Sequence, residues 1–244
     1  MAQTRKVRKR LQKKRMTDKQ KNKNKLKTKS LRCRCQMTKG VLCMNPTFGN
    51  TLFCKAHQNC HLSPLSGYEP AYDPPRYNDS KVRGTHNCFS YGLNVIDQNK
   101  DEPCPSTKKC NSQYHQPGAT RKMSKMLYKE ENRSCKVVER LMEMDVPMKR
   151  TTFRSRCPAN TSKIALVVHP KEDYHFIRQD SDGGWSHKDG SNPVKRFDAD
   201  GQNIVDPFTA NRDYRPRSFL NYSDFCGYYC APRTSNINLS RSMS

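Results

Sequence analysis

The chain has 244 residues, 46 of them Lys or Arg against 22 Asp or Glu, for a formal net charge of +24, and 33% are hydrophobic. That length allows one sizeable folded body or two small ones, and so lean an apolar fraction excludes a core running through the whole chain. No apolar run approaches the ~20 residues of a membrane-spanning helix, and the basic N-terminus has no apolar stretch behind it, so neither a membrane span nor a secretory signal is expected and an acidic partner is.

Residues 1–32 form a basic arm. Fifteen Lys or Arg stand there against one acid, Asp18, so this eighth of the chain holds +14 of the charge. Its few large apolar residues, Val7, Leu11, Met16, Leu26 and Leu31 among them, cannot build a core, which predicts a disordered segment or a fraying basic helix. Such an arm can release counterions from nucleic acid or thread across an acidic protein lattice. A solubilising tail or a nuclear-import signal would have the same composition.

Residues 33–61 hold five of the twelve cysteines within 28 residues. Thiolates and imidazoles from short turns suit a tetrahedral metal, and the most regular set is Cys35, Cys43, Cys54 and His57. Seven residues separate the first pair, a Cys-x-x-His step closes the site, and Cys33, Cys60 and His61 remain as spare ligands. Four protein ligands would make the site structural, a zinc knuckle standing in for a core that so short a segment lacks. The segment resembles small zinc modules of large DNA viruses and some bacteria with the pattern Cys-x-x-Thr-Lys-x-Gly, then Cys, then Phe-Cys-x-x-His.

Residues 62–83 carry Pro64, Pro70, Pro74 and Pro75 with Tyr68, Tyr72 and Tyr77, which reads as an extended, semi-rigid linker. Residues 84–235 then read as a folded α+β domain, followed by a flexible tail over 236–244. Asn87 can cap a helix whose Phe89, Leu93 and Ile96 repeat at helical spacing, which puts Cys88 in the first turn, where a helix N-terminus favours the thiolate. A loop with Cys104 and Cys110 follows, then helical material over 120–131 and 134–144, with Cys135, Val138, Leu141 and Met142 facing a core.

Ile164 to Val168 is a continuous apolar run, hence a strand buried on both faces. Tyr174 to Gln179 alternates, Asp180 to Gly184 makes a turn rather than a calcium loop, and Trp185 to Lys188 returns. A five-residue loop would pair Gln179 with Trp185 and Ile177 with His187, placing His175 and His187 on one face; a four-residue loop would separate them. Cys226 and Cys230 are expected on one face of a last strand, about 13 Å apart and so unable to bond to each other.

A helix-borne Cys, then a strand His, then a polar residue about a dozen positions later resembles the papain-like cysteine peptidases, most closely the NlpC-type branch. The resemblance implies a helix carrying Cys88 packed on an antiparallel sheet, with Cys88 as nucleophile, His175 as base and His187 as the residue that orients the base. Asp198 is a rival for the third role. The branch has Asp-Cys-Ser-Gly where this chain has Asn87-Cys88-Phe89-Ser90. The segments around Asn87-Cys88, Tyr174-His175, Trp185-Ser186-His187-Lys188 and Phe225-Cys226-Gly227 also resemble bacterial and large-DNA-virus proteins of unassigned activity.

Three functions follow. The first is a virion-associated, minor capsid-type structural protein, made in the host cytoplasm and not secreted, whose arm and linker thread between other capsid proteins. The second is an active cysteine peptidase or amidase using Cys88 and His175. The third is a nucleic-acid-binding protein acting through residues 1–32.

Overall fold

The computed structural model describes residues 32, 33, 35, 43–49, 53–57, 63–96 and 115–233. Residues 1–31 of the basic arm, the tail and the loop with Cys104 and Cys110 lie outside the described residues. The chain divides into two compact units, residues 1–60 and 61–244.

In the first unit an antiparallel bridge joins Arg32 to Pro46, and Cys33 N donates to Asn45 O at 2.7 Å. Cys43 N donates to Cys35 O, and a 3-10 turn over Lys55–His57 folds His57 back towards Cys54. Cys33, Cys35, Cys43 and Cys54 are buried together and replace an aliphatic core.

The second unit is α+β. The strands are β1 (Lys149–Thr151), β2 (Thr161–His169), β3 (Asp173–Gln179), β4 (Trp185–Lys188), β5 (Val194–Lys195) and β6 (Asp224–Pro232). They form one antiparallel sheet in the order β1-β6-β2-β3-β4-β5. The described α-helices are α1 (Pro74–Asn78), α2 (Ser80–Arg83), α3 (Cys88–Leu93) and α4 (Cys135–Asp145). The helical stretch expected over 120–131 is broken into 3-10 segments over Ala119–Arg121, Ser124–Tyr128 and Glu130–Asn132.

β2 lies at the centre and both its faces are covered, which explains its unbroken apolar run. Ile164, Leu166 and Val168 meet Phe89 and Leu93 of α3 and Val138, Leu141 and Met142 of α4. On the other face Ala165 and Val167 meet Ile177, Trp185 and Tyr228, together with Ile204, Ala210 and Tyr222 from the long loop between β5 and β6. Burying a large aliphatic or aromatic side chain contributes roughly 1.5–3 kcal/mol, so each of the two layers is a large stabilising contribution.

Two sequence expectations are corrected here. Residues 63–83 are not an extended connector. Asp73 caps α1 by accepting from Arg76 N, with Pro74 and Pro75 in the first turn, where a missing N–H costs nothing. Tyr77 is buried edge-on against Tyr91, and Gln179 Nε2 donates to Ser63 O at 2.8 Å. The buried Arg178 guanidinium lies 3.9 Å from the Tyr91 ring centroid and donates to Ala71 O and Asp180 Oδ1, tying the segment to the sheet.

Nor do Cys226 and Cys230 share a face. The β2–β6 register shifts between Leu166 and Val167, opposite Gly227, which sits at φ 149°. That bulge reverses the alternation. Cys226 packs in the α4 layer and is bonded to Cys135, while Cys230 is bonded to Cys157.

Candidate functional site

α3 begins as expected. Asn87 Oδ1 accepts from Phe89 N at 3.1 Å and from Ser90 N at 3.2 Å, which places Cys88 at the first helical position. The thiol is free and buried, beside the Phe176 backbone N–H. That N–H lies on a stretch of β3 that β4 leaves open, because β3–β4 pairing begins at Ile177. Burial, and then the carboxylates of Asp173 and Asp189, push the thiol up to about 12. The helix N-terminus does not overcome this.

The turn from Asp180 to Gly184 has five residues, so Gln179 pairs with Trp185 and Ile177 with His187. His175 and His187 therefore share a face, and His175 Nε2 lies 2.8 Å from His187 Nδ1. His187 Nε2 lies 3.0 Å from the Phe197 carbonyl oxygen. A carbonyl can only accept, so His187 Nε2 carries a proton. In the neutral ring Nδ1 is then a lone pair and accepts from His175 Nε2–H. The His175 proton is thereby assigned to Nε2 and its lone pair to Nδ1.

A carboxylate joins them that sequence reasoning missed. Asp189 Oδ1 is 3.0 Å from His187 Nδ1 and 3.1 Å from His175 Nε2, and Lys195 Nζ holds Oδ2 at 2.5 Å. Burial opposes ionisation of Asp189, but its close contacts with His187 and His175 and the charge of the Lys195 ammonium hold it well below the usual carboxylate range. Burial pushes the His175 imidazole down to about 3, against the pull of Asp189, so at neutral pH the ring is uncharged and a weak base. Asp198 is not part of this group. Its carboxylate accepts from Asp200 N, Gln202 N and Asn211 N, fastening the loop in which it sits.

Cys88 belongs to the helix layer, whereas His175 turns to the other face of β3, against the Tyr222 ring. Among the described residues no hydrogen bond joins the thiol to His175. Both line one cavity of about 450 Å³, whose charged lining is Glu172, Asp173 and Asp189 against Arg133.

In the first unit, Cys33, Cys43, Cys54 and His57 gather their donor atoms within 4.8 Å of one another and could hold a metal ion. Cys33 Sγ and Cys54 Sγ lie 3.6 and 3.3 Å from His57 Nδ1, and Cys43 Sγ lies 4.0 Å from Cys54 Sγ. Cys35, the ligand expected from spacing, is in a disulfide. The bridge from Arg32 to Pro46 is the reason, since it sets Cys33 against the strand-like segment that follows Cys43.

The chain is 29% identical over 167 residues to insoluble matrix shell protein 1 of Ruditapes philippinarum, a match covering 68% of this chain and 93% of that one. No family model and no solved structure matches the chain. No helix among the described residues is long and apolar enough to cross a membrane.

Proposed function

We propose that the second unit is a papain-like domain of the NlpC type that performs thiol-dependent acyl transfer on a peptide or amide. The supporting observation is the proton order from Phe197 through His187 to His175, which leaves a lone pair on Nδ1 of His175, a residue that lines the same cavity as Cys88. In the reaction Cys88 Sγ bonds to the acyl carbon, its proton passes to His175 Nδ1, and that proton leaves with the amine; water or a second amine then releases the acyl group. Asp189 Oδ1 stabilises the imidazolium that forms in between. Reaction requires the thiol and the imidazole, which lie on opposite sides of β3, to meet within hydrogen-bond reach at the stretch of β3 that β4 leaves open. Three carboxylates against one guanidinium in the cavity lining favour a substrate with a basic group. Incubation with an activated amide of a basic amino acid should leave a thioester on Cys88, seen as a mass shift and absent in Cys88→Ala. A folded wild-type protein that never acquires it refutes the proposal.

A second reading, a structural part of an insoluble or particulate assembly, rests on the name of the shell matrix relative and on the basic arm. Two disulfides in the second unit suit an oxidising setting better than a reducing cytoplasm. The sequence resemblance makes a virion, with capsid proteins as partners, one such assembly; the arm's charge equally suits nucleic acid. The two readings are compatible in one chain, an acyl-transfer domain tethered to a solid.

Zinc is the ion we assign to the Cys3His group. Tetrahedral zinc with thiolate bonds near 2.3 Å and an imidazole bond near 2.05 Å places sulfurs about 3.8 Å apart and sulfur about 3.6 Å from nitrogen, close to the distances above. Four protein donors leave no open position, so the ion's role there is structural.

A further inference from the structure

We infer that His175, His187 and Asp189 form a second metal site, for a divalent first-row transition ion, and that its occupation switches the thiol site off. The binding half stands on geometry alone; the switch rests on the acyl-transfer reading. The three donor atoms, His175 Nε2, His187 Nδ1 and Asp189 Oδ1, make a triangle with edges of 2.8, 3.1 and 3.0 Å. An ion about 2.1 Å from each donor sees neighbouring ligands about 3.0 Å apart in an octahedron and about 3.4 Å apart in a tetrahedron. The triangle thus matches one face of an octahedron, the two-histidine, one-carboxylate arrangement that leaves the remaining positions open.

The local bonding suits this use. The Phe197 carbonyl takes the His187 Nε2 proton, which leaves Nδ1 as a lone pair for an ion. Lys195 takes Asp189 Oδ2, leaving Oδ1. Both histidines are buried, but His175 and Asp189 line the 450 Å³ cavity, which provides an entry path. The donor set also contrasts with the Cys3His group, being nitrogen and oxygen without sulfur, so the two sites are told apart by spectroscopy.

The switch follows from the imidazole itself. A neutral ring has one proton and one lone pair. Without an ion His175 holds its proton on Nε2 and can receive the thiol proton at Nδ1. An ion on Nε2 needs that lone pair, so the proton moves to Nδ1 and the ring can no longer serve Cys88. No proton is lost overall and no electron is transferred.

The test uses the full chain with its zinc content adjusted to one equivalent, which fills the Cys3His group, and then titrated with Co²⁺. We expect a second ion whose visible spectrum lacks the sulfur-to-cobalt band. Asp189→Asn should weaken it at least about tenfold. Lys195→Ala, at a partly exposed position, should tighten it a few-fold by removing a competing charge. Alkylation of Cys88 should slow at least about tenfold as the ion binds, and not in Asp189→Asn. Cobalt binding that ignores both substitutions overturns the site, and alkylation that ignores the bound ion overturns the switch. A protein that binds the second ion as expected but never forms a Cys88 thioester keeps the metal site and loses the acyl-transfer reading.

Discussion

Alkylation kinetics at Cys88 separate a working thiol–imidazole pair from a core cysteine. With its thiol pushed up to about 12, Cys88 at pH 7 is about one part in 10⁵ thiolate. An ordinary exposed cysteine is about three parts in 10². If burial alone governed reactivity, Cys88 would react roughly 10³-fold more slowly than an exposed thiol and the rate would rise tenfold per pH unit. A general base contributes typically 10²–10⁴-fold, and one as weak as His175 falls at the low end, offsetting about 10²-fold of that deficit. His175 is lowered to about 3, so its base form is present at every pH above that, and the base-assisted rate should be flat from about pH 5 to pH 9. The assay is the pseudo-first-order rate with a small neutral electrophile, in the presence of a chelator, with the modified residue mapped by mass spectrometry. His175→Ala should lower the rate about 10²-fold at pH 7 and restore the tenfold rise per unit. A wild-type rate that climbs with hydroxide throughout, unchanged by His175→Ala, would show that Cys88 is only a buried thiol.

Three further outcomes follow from the packing and the charges. Tyr77→Ala should destabilise the second unit by about 3–5 kcal/mol in denaturant unfolding, because Tyr77 is buried against Tyr91 and donates to Asn94; a loss under 1 kcal/mol would restore the linker view. The Cys88 thiol is raised from about 9 unfolded to about 12 folded, so the stability it contributes is intact below pH 9 and declines as pH rises from 9 to 12. The stability of wild type relative to Cys88→Ser should therefore fall by about 1.4 kcal/mol between pH 8 and pH 10, and a constant difference contradicts the burial argument. Purified protein should carry one equivalent of tightly held zinc that Cys54→Ser or His57→Ala removes and Cys35→Ser leaves in place; loss with Cys35→Ser instead would reassign the fourth ligand.

Local chemistry made much of the fold legible. Asn87 announces a helix start because its side chain satisfies orphan N–H groups, and the apolar run of β2 announces a strand covered on both sides. What stayed hidden depends on long-range contacts. The Pro/Tyr segment has a linker's composition, but Arg178, more than a hundred residues on, supplies the guanidinium that holds Ala71 in place. The bulge at Gly227 is set by the β2–β6 register, and one inserted residue sends Cys226 and Cys230 to opposite layers.

The site divides along the same line. Parity alone shows that a five-residue turn puts His175 and His187 on one face, because side chains alternate with period two. Asp189 was open to the same reasoning, two positions past His187 and so on its face, but β4 ends at Lys188 and alternation no longer speaks beyond a strand's end. Asp198 looked equally suitable by type, and only its three backbone N–H partners show that its oxygens are already committed. The decisive group has no side-chain signature at all. A backbone carbonyl, at Phe197, takes the His187 Nε2 proton, and from that one bond follow the His187 lone pair on Nδ1, the His175 proton on Nε2 and the His175 lone pair on Nδ1. Replacing Phe197 would leave its carbonyl in place, so the proton order is a property of the fold around residues 187–197 rather than of any residue type that a motif could record.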